Sequence, residues 1–403
     1  MDLKSGYPFW AVRNGLMQAM PKLEADRACD VLVIGGGITG ALIADDLIAH
    51  GHDVIVVEQR DIAWGSTAAS TALLQYEIDT HLVDLARQYG EADAGLAYRA
   101  CGEAIDLLAE LARGLRGVEF ERTDSLYYAS RARDVPALQD ECVARRRHGF
   151  EVDYLDRAAI QARYGFDAPA ALLSSQAAQV DPYRFASRLL ARCARRGGGV
   201  FDRTRVVDLD TRSRDVRAMM STGVHVRARH VVIAAGYASQ QWLPGRVARN
   251  RSSYAFVTDP LDGTLPDALA RTLVWETARP YLYLRTTGDR RLLIGGEDDA
   301  VDVPARRDAR VEKKARRLMK RVHALWPQLD LTPTFAWAGT FAETDDGLPF
   351  FGPHPATGPR VHFAMAYGGN GITYSMLGAG LLRARIERRA HPLTRLFAFD
   401  RIA

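Results

Sequence analysis

The chain has 403 residues, room for two or three domains at roughly 150 residues each and for a core around a sizeable ligand. Hydrophobic residues make up 47% and charged residues 25%, which excludes a mainly disordered or fibrous chain. With 53 Lys+Arg against 49 Asp+Glu the net charge is only +4, too little to demand nucleic acid or an anionic membrane as partner.

Residues 1–27 read as an N-terminal extension. The start, MDLKSGYPFWAVRNG, lacks a basic flank followed by an apolar run, and the apolar stretch from Val31 is broken by Asp45 and Asp46 before it could span a bilayer. A soluble, cytoplasmic protein without a transmembrane segment is expected. Val31 to Ile34 is a continuous apolar run of the kind a parallel strand needs when both its faces are covered. Ile38 to Ala49 carries apolar residues at helical spacing, stopped by Gly51, and Val54 to Val57 is a second buried run. Together they predict a strand–helix–strand unit with parallel strands and a right-handed crossover. His50 and His52, in its helix-to-strand turn, read as structural.

Further on, Ala104 to Leu115 reads as an amphipathic helix and Pro182 to Arg195 as another. Strands are expected around Thr204 to Val207, at Val224 to Arg227 and at Val231 to Ala235, as more of the first sheet. From 252 to 296 the runs at Tyr254–Val257, Tyr281–Arg285 and Arg291–Ile294 predict a separate antiparallel sheet. Nine basic residues crowd 306–321, but Val311, Ala315, Leu318, Met319, Val322 and Leu325 share helical spacing, so the charges are expected on the solvated side. A strand at Val361–Ala366, a glycine-rich turn and a helix from Ile372 to about Arg388 close the chain.

Gly35-Gly-Gly37-Ile38-Thr39-Gly40 fits G-x-G-x-x-G between a strand and a helix. Gly35 permits the turn, Gly37 lets backbone approach a pyrophosphate, Gly40 lets helix and strand pack closely, and the helix N-terminus at Ile38 and Thr39 attracts phosphate charge. Glu58, followed by Gln59, ends the second strand 23 residues after Gly35, where a carboxylate can bind ribose hydroxyls and would repel a 2′-phosphate. A dinucleotide other than NADP is therefore expected. In Gly65-Ser66-Thr67-Ala-Ala-Ser70-Thr71 the small hydroxyl residues could donate to phosphate and ribityl oxygens, or form an ordinary polar loop. Gly368-Gly369-Asn370-Gly371-Ile372-Thr373 sits at a strand end and opens a helix, a second donor-rich terminus. Tyr281, Tyr283 and Arg285 share a parity, so one face of a strand could present two phenols and a guanidinium suited to a carboxylate or phosphate; aromatic packing with a surface arginine fits as well. Tyr254, Tyr76 and Phe341 are further candidates for that pocket.

The order of Asp30 to Glu58, Gly65-Ser66-Thr67, Val231 to Gly236, and Trp337-Ala-Gly339 through Gly347-Leu348-Pro349 to Thr373 resembles the DAO family of FAD-dependent oxidoreductases, that of D-amino-acid oxidase, glycine oxidase and sarcosine oxidase. The resemblance implies an α/β fold: a Rossmann-type FAD-binding domain assembled from 28–90, 179–238 and 337–403, with a second α+β substrate domain from 91–178 and 239–336 built on an antiparallel sheet. It implies FAD contacts at Val206 (adenine), Ala235, Gly236, Gly339, Gly369, Asn370, Gly371, Ile372 and Thr373, with the last turn facing the flavin's pyrimidine edge. It also implies hydride transfer from a small substrate to flavin N5, most plausibly from the carbon beside an amine. Ser70-Thr71-Ala-Leu73 looks more like the glycerol-3-phosphate dehydrogenase branch, which keeps a hydroxy-acid or glycerol-phosphate substrate open, as well as a flavin-binding subunit without turnover. The electron acceptor, oxygen or a quinone, stays open.

The four cysteines, Cys29, Cys101, Cys142 and Cys193, are scattered without a Cys-x-x-Cys pair, so neither a disulfide framework nor a zinc site is supported and no metal is expected. None lies beyond 193, where the sarcosine oxidase branch tethers its flavin, and His81 reads as an ordinary surface residue. Noncovalent FAD is expected.

Overall fold

A computed structural model describes residues 3–211, 214–261, 265–301 and 303–402; Met1 and Asp2 of the expected N-terminal extension lie outside them, as does Ala403. Two sheets organise the chain. In the first, strands Val361–Met365, His225–Ile233, Arg27–Ile34, Val54–Val57 and Gly199–Phe201 run parallel in that order. Phe350–Pro353 adds an antiparallel edge. The three apolar runs are the centre of this sheet because both their faces are covered. Val31, Val33, Val54 and Val56 pack against helices Ile38–Ala49, Pro182–Arg195 and Gly371–Ile386. Leu32, Ile34, Ile55 and Val57 meet the hairpin Val206–Asp210 and Val216–Met220 on the other side. The two strands expected at 224–227 and 231–235 are one continuous strand, His225–Ile233.

The second sheet runs Pro333–Glu343, Arg249–Thr258, Leu292–Asp299, Leu282–Thr286, Thr272–Glu276, Glu121–Tyr128, Ala170–Gln179 and Leu73–Gln75, with Val152–Asp156 also paired to Ala170–Gln179. It is antiparallel except where Thr272–Glu276 runs parallel to Glu121–Tyr128. Residues 73–75 and 337–343, expected with the nucleotide unit, are strands of this sheet. Helix Val311–Leu325 covers its outer face through Ala315, Leu318 and Val322, packed on Tyr254, Phe256 and Ile294. The expectation that the basic run is wholly solvated is corrected here. Arg307 is fully buried, donating to Thr340 Oγ1 at 3.0 Å, and Lys314 is buried with its Nζ on the Glu297 carbonyl. Glu297 and Asp299 of the sheet beneath draw Lys314 inward, while Arg307 pairs with the neighbouring Asp308.

The amphipathic helix expected at 104–115 is the second half of a longer one, Glu91–Arg113. Residues 3–5 lie along strand Pro333–Glu343: Ser5 N–H donates to Ala338 O and Thr340 N–H to Leu3 O. Among the described residues no helix is long and apolar enough to cross a membrane.

Candidate active site

Where the parallel strands of the first sheet end, at Ile34, Val57 and Ala234, a cavity of about 1240 Å³ opens and continues beneath the second sheet. Carboxyl ends of parallel strands are where open α/β sheets bind ligands. Gly35, Gly37, Ile38, Thr39, Glu58, Gln59, Ser66, Thr67, Ser70, Thr71, Leu73 and Val206 line it, as do Ala235, Gly236, Gly339, Gly369, Asn370, Gly371 and Ile372. Two predicted contacts, Gly40 and Thr373, do not. Gly40 is a packing position: a Cβ there would stand 1.9 Å from Gly35 O. Thr373 is buried within the last helix, its hydroxyl turned from the cavity and without a partner among the described residues.

The first glycine turn is built for an anion. Gly35 takes φ 122°, a conformation closed to most side chains, and a Cβ on it would strike Ala234 O at 2.3 Å. Ile38 N–H is already taken by Thr67 Oγ1 at 2.9 Å, and Gly36 N–H by Glu58 Oε2 at 2.8 Å. Gly37 and Thr39 N–H have no acceptor among the described residues, so those two donors, with the helix dipole, remain for a phosphate. Glu58 Oε1 accepts Arg60 N–H at 2.9 Å. Burial pushes the Glu58 carboxyl upward, against the pull of these backbone donors. The hydroxyls of the next segment are partly spent on structure: Ser70 Oγ accepts Ala72 N–H at 3.1 Å, and Ser66 Oγ reaches Thr340 O at 3.4 Å.

At the other end Gly371 and Ile372 N–H begin helix Gly371–Ile386 without a partner among the described residues. Asn370 is fixed by its amide on Glu77 O at 2.5 Å, and Gly369 N–H donates to Asp79 Oδ2 at 2.9 Å. Gly339 lines the cavity and lies against the Ala69 methyl, which would stand 3.2 Å from an added Cβ. Trp242 and Tyr367 line the cavity, and the Trp242 Nε1 and the Tyr367 hydroxyl are buried without a partner among the described residues. A long ligand with polar atoms along its length, a flavin dinucleotide among them, fits this set.

The predicted substrate residues divide. Tyr283 lines the cavity, its hydroxyl 3.0 Å from Ser253 Oγ, and burial raises its phenol well above the usual range. Arg285 does not reach the cavity. It shares the face of Tyr283 but lies beyond the cavity's end, donating to Thr71 O at 2.6 Å, Gln179 Oε1 at 3.2 Å and Val180 O at 2.9 Å. Burial lowers it to about 10. Its donors are committed to the fold, so it is a fastener and not an anion receptor. Tyr254 is part of the wall, but its phenol is buried on the far face, in the core beneath helix Val311–Leu325, with its hydroxyl 3.2 Å from Asp299 Oδ2. Tyr76 lies outside the cavity, fully buried and stacked on Phe150 at 4.5 Å. Phe341 lines the cavity. His81 is half-buried and not a surface group: its Nε2 meets the Tyr127 hydroxyl at 2.9 Å, and burial lowers its pKa.

Sequence reasoning passed over Asp79, Trp275, Arg279, Ser253 and Asp298, all on the wall. Asp79 could have been sought just past the flavin-like segment; Asp298 could have been suspected from the paired glycines at 295–296. Tyr281, singled out only by parity, donates to Asp79 Oδ1 at 2.8 Å, and the Arg279 guanidinium lies 3.4 Å over its ring.

Residues 30–385 match the family described as FAD dependent oxidoreductase, or DAO. Among relatives, the Bacillus subtilis (strain 168) protein YhfW, named for a Rieske 2Fe-2S centre, is 23% identical over 98% of this chain and 75% of its own length. Glycine oxidase of Geobacillus kaustophilus (strain HTA426) is 27% identical over 89% of this chain and 93% of that protein. The crystal structure of glycine oxidase from Geobacillus kaustophilus superposes with a TM-score of 0.76 at 21% identity, covering 92% of this chain and 98% of that one, a likeness of fold.

Proposed function

The chain belongs to the DAO family of FAD-dependent oxidoreductases, and from that premise we propose that it oxidises a small amine or amino acid. FAD, when bound, supplies the two-electron acceptor that takes a hydride from the substrate carbon. The rest is the protein's work. Glu58 would hold ribose hydroxyls, Gly37 and Thr39 N–H the pyrophosphate, and Gly371 and Ile372 N–H, with the helix they open, would favour negative charge on the cofactor's far end. Trp275, Tyr281 and Tyr283 form an aromatic wall that keeps water from the reacting carbon. None of the four cysteines lines the cavity, nor does His81, which supports noncovalent attachment.

One observation carries the reading: a single cavity joins both glycine turns to the tyrosine-bearing strand Leu282–Thr286. The absorption spectrum of the purified protein before and after trichloroacetic acid precipitation tests it. A yellow supernatant is expected; a yellow pellet refutes the noncovalent claim, and protein that stays colourless when supplied with FAD refutes the whole. Mixing the yellow protein anaerobically with amines, amino acids and 2-hydroxy acids should bleach it with an amine or amino acid. Bleaching by hydroxy acids alone moves the assignment to that class.

A further inference from the structure

Strands Arg249–Thr258 and Leu292–Asp299 pair regularly from Val257 opposite Leu293 to Tyr254 opposite Gly296, and the next partners are then Ser252 and Asp299. Two residues, Glu297 and Asp298, therefore stand against one, Ser253, which makes a β-bulge. Gly296 at φ 135° and Glu297 at φ 55° carry the irregular backbone. Alternation would send Asp298 to the same outer face as Leu292 and Ile294. The bulge sends it inward. Glu297 and Asp299 both meet the cations of helix Val311–Leu325, with Lys314 Nζ 3.6 and 3.5 Å from their carboxylates, while Asp298 joins Ser253 and Tyr283 on the cavity wall.

Asp298 Oδ1 is shielded from water and has no hydrogen-bond partner among the described residues. The neighbouring cations on the wall are already engaged: Arg251 closes on Glu343, Arg249 on Asp345, and Arg279 stacks on Tyr281 while donating to Asp79 O at 3.2 Å. A carboxylate oxygen buried without a partner is costly and is relieved by a proton or by a cation. Asp79 and Glu343 face the same group and add to its demand for positive charge, with Arg279 the opposing cation.

We infer that Asp298 is the specificity-determining anchor for a cationic ammonium group of the substrate, with Ser253 and Tyr283 as hydroxyl acceptors beside it. This rests on the amine reading above and narrows it: substrates whose only charge is a carboxylate or phosphate are disfavoured at this wall.

The probes are n-butylammonium and butyrate, near-isosteric ions of opposite charge, titrated into the FAD-loaded protein by calorimetry and by perturbation of the flavin spectrum. At about pH 8.5 butylammonium should bind about tenfold or more tightly than butyrate. Asp298→Asn should abolish that preference by weakening butylammonium, with the melting curve confirming the fold. Should that variant not fold, the wild type at about pH 5.5 serves: burial raises the Asp298 carboxyl to about 7, so a proton there removes the same charge and should weaken butylammonium similarly. Ser253→Ala gives a smaller loss of the same sign. Equal binding of the two ions, a preference for butyrate, absence of saturable butylammonium binding, or a preference untouched by both Asp298→Asn and the acid shift overturns the anchor. A flavin-loaded protein bleached by no amine, yet calorimetrically selective for butylammonium, overturns the oxidase reading and leaves the anchor standing. A yellow, amine-bleached protein without charge preference does the reverse.

Discussion

The Asp79 carboxylate accepts the Tyr281 hydroxyl at 2.8 Å and, through its other oxygen, Gly369 N–H at 2.9 Å. One side chain thus ties the substrate-side sheet to the turn that opens helix Gly371–Ile386. Charge-assisted bonds to backbone N–H are among the stronger ones, so the turn's position depends on Asp79 more than on Tyr281. Tyr281→Phe should cost about 1 kcal/mol of stability, and Asp79→Ala should in addition weaken FAD about tenfold. Thermal melts and FAD titration of the deflavinated variants check this. Unchanged FAD affinity in Asp79→Ala would refute the coupling.

Arg285 carries a different expectation from the one its parity suggested. Replacing it with Met keeps apolar bulk but strands the carbonyls of Thr71 and Val180 and the Gln179 side chain. Each buried acceptor left unmade costs about 1–3 kcal/mol, so a loss of about 3 kcal/mol or more is expected. Denaturant unfolding measures it. A substrate-binding arginine would instead leave stability nearly unchanged and raise KM alone.

The nucleotide turn can be tested through its packing. Gly40→Ala drives a Cβ to 1.9 Å from Gly35 O, where backbone must yield, and should lower stability by about 3 kcal/mol and deplete bound FAD. Gly380→Ala is the control. It lies in the same helical layer with nothing within 4 Å, so it should be neutral or stabilising by up to about 1 kcal/mol. The flavin-to-protein absorbance ratio and the melting temperature report both. Equal behaviour of the two variants would refute the close-packing argument.

What the sequence made legible follows the physics of burial. Val31–Ile34, Val54–Val57 and Val231–Ile233 announce themselves because strands covered on both faces are apolar throughout. Ala170–Gln179, AALLSSQAAQ, gives no such signal: its alanine-rich composition favours a helix, and pairing to three neighbouring strands overrides that preference. Within the site, parity placed Tyr283 in the cavity and put Arg285 on the correct face, but parity carries no information about how far along a face the cavity extends. Tyr254 was misread because its run is apolar on both sides, leaving no alternation to tell the faces apart. Alternation misplaces Asp298 for a sharper reason, and only the paired glycines before it hint at the irregularity. The bulge opposite Ser253 inverts the alternation just where it matters, and a bulge is set by pairing between strands some 40 residues apart.

That inversion has a thermodynamic signature. Burial, with Asp79 adding to it, raises the Asp298 carboxyl to about 7, while Ser253 and Arg279 pull the other way. A carboxyl raised above its unfolded value of about 3.9 binds its proton more tightly in the folded protein. Its contribution to stability is therefore present in full below about pH 4 and is lost as pH rises through about 7. Above that the folded protein carries the full penalty, at most about 4 kcal/mol from a shift of about three pKa units at 1.36 kcal/mol each. Asp298→Asn removes the titration. The variant should melt several degrees above the wild type at about pH 8, with the difference vanishing towards about pH 4. Calorimetric scans of the two proteins across that range measure it. A gain that did not change with pH would assign the effect to packing and remove the buried charge from the argument.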